Sequence, residues 1–176
     1  AHSTLAFVTS SRPASAWKQS MTIPLFFNGA VDRAMQLGYR LEEHSLFSPG
    51  MTPVRFNSML RARGIIGVIV APLRNQSDTL PLDWEHFATV GLGFSLRSPS
   101  IPRIGNDHSH SARLAVQQCH RRGYLRVGLA LTYSLLEWVE EQWYAGYLVE
   151  HLLHGVQPPI PLFVSNWEEK SFIRWV

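Results

Sequence analysis

The sequence predicts an α/β protein built as a doubly wound parallel sheet, and three observations carry that expectation. Strand readings near residues 5, 40, 66, 90 and 104 alternate with helical stretches, the order that gives a parallel sheet with crossover helices. Ile65-Ile-Gly-Val-Ile-Val-Ala71 is uncharged and mostly β-branched, as suits a strand covered on both faces. Gly38, Gly64 and Gly123 each close a helical stretch just ahead of the next strand signal. Glycine takes the left-handed stop conformation at least cost, so helix, glycine and buried strand read as half of a βαβ unit.

Leu5–Thr9 is the first strand, followed by a polar loop over 10–22 that holds Pro13 and Trp17. A helix over Ile23–Leu37 then places Phe26, Ala30, Ala34 and Leu37 on its inward face. Pro24 is tolerated in the first turn, where no N–H is required of it. Tyr39–Leu46 is the second strand. The second helix opens at Thr52 or Asn57, with Phe56, Met59 and Leu60 as its apolar stripe, and Pro72 ends the third strand. Asp83–Phe87 is a helical turn, Thr89–Phe94 a fourth strand, and Pro102–Ile104 a fifth.

Asn106 and Asp107 can each cap the next helix, whose Ala112, Ala115, Val116 and Cys119 fall at i, i+3, i+4 and i+7. Arg121 and Arg122 in its last turn offset the negative end of the macrodipole. Val127–Leu131 reads as a strand buried on both faces. One long helix is expected over Ser134–His154, stopped by Gly155, with Leu136, Val139, Trp143, Gly146 and Leu153 near one face. Pro158, Pro159 and Pro161 force an extended connection. Leu162–Val164 is a strand, and Trp167–Val176 begins a further helix.

Bulk properties narrow the function classes. The 176 residues suffice for one domain or two small lobes, and 45 % hydrophobic with 16 % charged content describes a soluble globular chain. The net charge is +3, with basic residues in pairs at helix ends and not in runs, which argues against a phosphate-tracking surface on this segment. The single Cys excludes an intrachain disulfide, and its place in an apolar stripe reads as an inert buried thiol. No run reaches transmembrane length and no signal-peptide pattern opens the chain, so a cytoplasmic location is expected. The abrupt start at a strand reads as a segment cut from a longer chain.

No catalytic constellation is visible. His108 and His110, two apart at a helix start, point their rings away from each other, and no Cys or carboxylate set completes a metal site; both read as surface residues. Gly91-Leu-Gly93 lacks the third glycine of a dinucleotide fingerprint, and no Gly-x-Ser-x-Gly elbow occurs. The chain is expected to be no enzyme and to hold neither metal nor cofactor.

The run of Ile104, Asp107, Ser111-Ala112, an Ala-containing helix, Gly123, a basic residue and a buried strand resembles the LacI/GalR family of bacterial transcription regulators. The likeness is to their effector-sensing domain, which shares a periplasmic-binding-protein-like fold with solute-binding proteins. It implies an N-terminal lobe over 1–106 and the start of a truncated C-terminal lobe over 107–176, with the DNA-binding headpiece absent. It also implies a small-molecule effector, a carbohydrate foremost, held in an interlobe cleft. That effector would control how a homodimer binds operator DNA through headpieces outside this chain, with no membrane partner. By the same resemblance Asp107 would reach a sugar hydroxyl, besides its capping role. Trp143 stands where the family has an Arg: a donor fork gives way to one N–H and a stacking face, and core packing is an equal reading. Trp167 corresponds to an aromatic that often lines the cleft, with local packing as its alternative, and Ser10, Ser11 and Trp17 would border the same cleft. The alternative function is a periplasmic solute-binding protein of a transporter. The segment Arg121-Arg-Gly-Tyr-Leu-Arg-Val-Gly128 is nearer the regulator pattern, which has Gly-His where this chain has Gly123-Tyr124.

Overall fold

The structure, a computed structural model, describes residues 3–73, 79–154, 160–166 and 168–176. It forms two compact units, Ala1–Gly105 and Asn106–Val176.

The first unit runs β1 (Ser3–Thr9), α1 (Ile23–Gln36), β2 (Tyr39–Ser45), α2 (Pro53–Ala62), β3 (Gly67–Val70), β4 (Ala88–Leu92) and β5 (Arg103–Ile104). Its five strands make one sheet in the order β2-β1-β3-β4-β5, with every neighbouring pair parallel. β1 lies between two partners, Leu5 standing opposite Leu41 on one side and Gly67 on the other. Its side chains alternate between two cores. Ala6 and Val8 join Val68, Val70 and the α2 residues Phe56 and Leu60, whereas Phe7 joins Leu41, Ala71 and the α1 residue Ala34. One helix therefore covers each face, and Ala6, Phe7 and Val8 are at most 1 % exposed.

Two local expectations resolve differently. The α1 stripe is rotated from the expected one: Phe26 and Leu37 are exposed, and Ile23, Phe27, Ala30, Val31 and Ala34 face the sheet. Phe27 is preferred to its neighbour because it meets two aromatic rings, Phe7 at 5.0 Å and Trp17 at 5.4 Å, both edge-on. At α2 the cap is Thr52, whose hydroxyl accepts from Arg55 N at 3.3 Å. Asn57 instead clamps the later loop, donating to Pro81 O at 3.0 Å and accepting from Asp83 N at 2.8 Å.

The second unit runs α3 (His108–Arg121), β6 (Ala130–Leu131), α4 (Tyr133–Trp138), α5 (Gln142–Leu153), β7 (Phe163–Val164) and α6 (Glu169–Trp175), with β6 and β7 paired in parallel. The long helix expected over 134–154 is two helices. Glu140 and Glu141 both take left-handed backbone, φ 51° and 55°, which turns the chain and resets the helical phase. Leu153 is consequently exposed, and Val139, Gly146, Tyr147, Glu150 and His151 are buried. The strand expected over 127–131 shrinks to two residues with only Leu131 buried, because it pairs on one side alone. On α3, Ala112 and Val116 are buried as expected, but Ala115 is exposed and Cys119 only half-buried. The Gly155 stop, Pro158, Pro159 and Trp167 lie outside the described residues.

α3 and α5 pack against each other in the same direction. His108 meets Trp143, Ser109 faces Gly146, and one turn further Arg113 pairs with Glu150. At Gly146 a Cβ would collide with the backbone of Ser109, so the helices touch main chain to main chain. Glu150 is fully buried, and Arg113 Nε donates to its Oε2 at 3.1 Å while His154 Nε2 lies 2.5 Å from Oε1. Burial pushes this carboxyl up, but hydrogen bonds from Arg113, Gln117 and His154, with the His154 charge, outweigh it and hold the group below its ordinary value. Tyr147 reaches the strand entries, its hydroxyl lying 3.0 Å from Val127 O and 2.9 Å from Ile160 O.

Gly146→Ala is expected to destabilise the second unit by about 3 kcal/mol, the upper end for overpacking, because the obstacle is backbone. Urea unfolding at neutral pH measures it. Arg113→Leu should cost about 1–3 kcal/mol by removing one hydrogen-bond partner of a buried carboxylate that keeps Gln117 and His154. Because folding lowers the Glu150 pKa, its contribution is present above the ordinary glutamate range and lost as pH falls through the folded value. The gap between the variant and the unchanged protein should therefore narrow in acid, which unfolding curves at neutral and acid pH will show.

Candidate functional site

Open α/β sheets bind ligands beyond the carboxyl ends of their strands, where strand order reverses. With the order β2-β1-β3, that reversal falls between β1 and β3. The segments leaving these strands are Ser10–Ser11 and Pro72–Leu73. Ser11 is buried and committed to its own loop: its Oγ donates to Ala14 O at 3.0 Å and accepts from Trp17 N at 3.3 Å. Trp17 is 5 % exposed, tilted against Phe7 and edge-on to Phe27, and its Nε1 donates to Glu43 Oε1 at 2.9 Å. Both residues thus shape the loop that carries half-buried Ser10. Across the reversal, Leu73 N donates to the buried Ser95 Oγ at 2.8 Å and pins the segment after β3. Thr9 Oγ1, at the end of β1, is buried with no hydrogen-bond partner among the described residues.

In the second unit the packing of α3 on α5 gathers the other residues. Asp107 caps α3: Oδ1 accepts from His110 N at 2.8 Å, and its carbonyl accepts from Ser111 N at 3.0 Å and Ser111 Oγ at 2.8 Å. The carboxylate is exposed, so capping leaves it open to solvent. Trp143, the second residue of α5, is half-buried with its ring 5.5 Å from that of His108, tilted by 38°. Asp107 and Trp143 are therefore brought to the same end of one helix pair, with His108 between them. Trp167 lies outside the described residues.

His108 is the residue that the sequence reading missed. Grouped with His110 as a surface pair, it instead lies half-buried, while His110 is exposed. The signal was present: His108, Ala112 and Val116 fall at i, i+4 and i+8, so His108 extends the buried stripe by one turn. Burial lowers its pKa, only partly opposed by the charge of Asp107, so the imidazole is neutral at pH 7. Glu150 was not anticipated either, since a carboxylate one turn past Gly146 carries no mark of burial in the sequence.

Chemically, this end of the helix pair offers a hydrogen-bond-accepting carboxylate, an indole face and a neutral imidazole. Such a set suits hydroxyl groups and ring stacking. Among the described residues no group of three or more His, Cys, Asp or Glu is placed to hold a metal ion, and no helix is long and apolar enough to cross a membrane.

No family model and no curated protein matches the chain. Solved structures do. A regulatory protein of the LacI family from Chloroflexus aggregans aligns with 98 % of this chain and 61 % of its own, at 15 % identity and a TM-score of 0.68. A complex of the transcriptional regulator CelR with cellobiose aligns with 97 % of this chain and 53 % of its own, at 19 % identity and a TM-score of 0.62. A lac repressor dimer bound to operator and an anti-inducer aligns with 99 % and 51 %, at 19 % identity and a TM-score of 0.60. The chain thus spans between about half and three fifths of the length of these structures. At such identity what is shared is the fold: the chain has the doubly wound, periplasmic-binding-protein-like α/β fold of LacI-family regulators.

Proposed function

We propose that this chain is the ligand-sensing part of a LacI-type transcriptional regulator. A small effector, a carbohydrate foremost, would bind in the interlobe cleft that the resemblance implies and bias the affinity of a cytoplasmic homodimer for its operator through headpieces outside this chain. The observation that carries this reading is the overlay of nearly the whole chain on regulators solved with a small effector and with operator DNA. Within the chain, support comes from the residues that converge at the ends of α3 and α5 and from the loops at the β1–β3 reversal. Asp107 would accept hydrogen bonds from ligand hydroxyls, and Trp143 would stack on the ligand ring. Ser10 would line the cleft on a loop held by Ser11 and Trp17, and Trp167 would add a further aromatic.

No chemical step is required. An effector acts by binding one arrangement of the protein more tightly than another, and its differential affinity sets the size of the response. A solute-binding protein could share this fold, but the reported neighbours are regulators, and the sensing role is preferred on that ground.

The test is thermal unfolding of the chain against sugars, nucleosides and amino acids. An effector present at about a hundred times its Kd should stabilise the protein by about 2.7 kcal/mol and raise the melting temperature accordingly. Asp107→Asn keeps a capping oxygen but removes the charge, so the ligand-free protein should melt near the unchanged value while the ligand-induced rise shrinks. A panel that leaves the melting temperature unmoved would remove the sensing assignment.

A further inference from the structure

The far end of the α3–α5 seam holds two histidines that neither the Arg113–Glu150 pair nor the proposed sensing role uses. We propose that His120 of α3 and His151 of α5 form a two-coordinate site for a soft monovalent cation, Cu(I) or its redox-inert counterpart Ag(I). The proposal is independent of the sensing reading above.

Each ring already has one nitrogen engaged. α3 stops at Gly123 in left-handed backbone, φ 88°, where Tyr124 N donates to Cys119 O at 3.1 Å and Gly123 N donates to His120 O at 2.9 Å. That turn sets the Tyr124 carbonyl 3.0 Å from His120 Nδ1. On α5, His151 Nδ1 lies 2.8 Å from the Tyr147 carbonyl one turn back. A carbonyl only accepts, so both Nδ1 atoms carry the hydrogen, and in each neutral ring the lone pair is on Nε2. Histidines that ligate a metal through Nε2 adopt this tautomer, with the other nitrogen tied to a backbone carbonyl.

His120 Nε2 is buried with no hydrogen-bond partner among the described residues, and His151 is 3 % exposed. A buried acceptor without a donor is destabilising, and a bound cation removes that penalty. The two rings stand 5.9 Å apart, centre to centre, at 68°. Imidazoles that share one ion, each nitrogen about 2 Å from it, stand at a ring separation of this order. Packing of His151 on Tyr147 at 4.3 Å holds its ring in that place.

The number of ligands selects the ion. Among the described residues no group of three or more His, Cys, Asp or Glu is placed to hold a metal. Positions 155–159 and 167, the remainder of this unit, contain none of these residue types. Zn²⁺ takes four ligands, at least three of them from protein. Closed-shell Cu(I) and Ag(I) are satisfied by two nitrogens in a near-linear arrangement, and they bring one charge into the interior where a divalent ion brings two.

The test follows the imidazole nitrogen resonances of the full chain by NMR, with Cys119→Ser so that no thiol competes, as Ag(I) is added in chloride-free buffer. One equivalent should move the Nε2 resonances of His120 and His151 together and raise the melting temperature, whereas Zn²⁺ at the same concentration should leave both in place. His120→Phe and His151→Phe each keep a ring in the contact. Each should weaken Ag(I) binding by more than about a hundredfold in calorimetry, since losing only the hydrogen bond behind a ligand costs about 10–100-fold. His110→Phe, exposed on the first turn of α3, should leave binding unchanged. Nε2 resonances that stay in place, that move for one ring alone, or that answer Zn²⁺ as they answer Ag(I) overturn the proposal. That reading needs neither Phe variant to fold. Binding that survives either Phe replacement overturns the proposal as well.

Discussion

The close approach of α5 to α3 at Gly146 is the constraint on which the second unit depends. With no Cβ at that position, the backbone of α5 settles on the first turn of α3. The two helices run in the same direction, so one turn further along both, the partly exposed Arg113 reaches the fully buried Glu150. A larger residue at 146 would part the helices at their starts and pull on that ion pair. The same alignment carries Trp143 onto His108, beside the Asp107 cap. Parallel helices have their N-termini together. The cluster is therefore a consequence of helix direction, and no loop has to be posed to make it.

The first unit reaches a similar end by different means. Its strand β1 is covered on both faces, and the chain leaving that strand is folded back by aromatic packing. Trp17 fills the space beside Phe7 and Phe27 and spends its indole N–H on Glu43 of β2. Lys18 pairs with the other oxygen of the same carboxylate at 3.0 Å, so one acidic side chain anchors two adjacent residues of the loop. Ser11 closes the loop from within. A loop held in this way presents Ser10 at a fixed place, as recognition at a strand end requires.

How much of this was legible follows from the range of the interactions involved. Strand positions and the α/β order were readable because they depend on local hydrophobic runs and on stop glycines such as Gly64 and Gly123. The phase of α1 was not, since Phe26 and Phe27 are equal in sequence and only the rings of Phe7 and Trp17 decide between them. The break at Glu140–Glu141 left no signal either: neither residue is a favoured occupant of left-handed backbone. At the candidate site, Asp107 was visible as a cap and Trp143 as a departure from a motif. His108 was masked by its pairing with His110, although its spacing to Ala112 placed it on the inward stripe. Glu150 depends wholly on partners from another helix, and no local pattern announces such a carboxylate.

These differences bear on how charge is used in the second unit. The seam keeps its charge where water is excluded, as one buried carboxylate held by Arg113, Gln117 and His154. Breaking such a cluster is costly, and its value is to fix one way for α5 to lie on α3. Toward the start of the helices the character changes: Asp107 is exposed to water, and its neighbours His108 and Trp143 carry no charge at neutral pH. On the proposed reading, cohesion and recognition fall on different turns of the same helix pair. Arg113 cannot serve both, because withdrawing it toward a ligand would strand Glu150. On the proposed reading, a ligand at the open end meets side chains that the packing of α3 on α5 holds in place before it arrives.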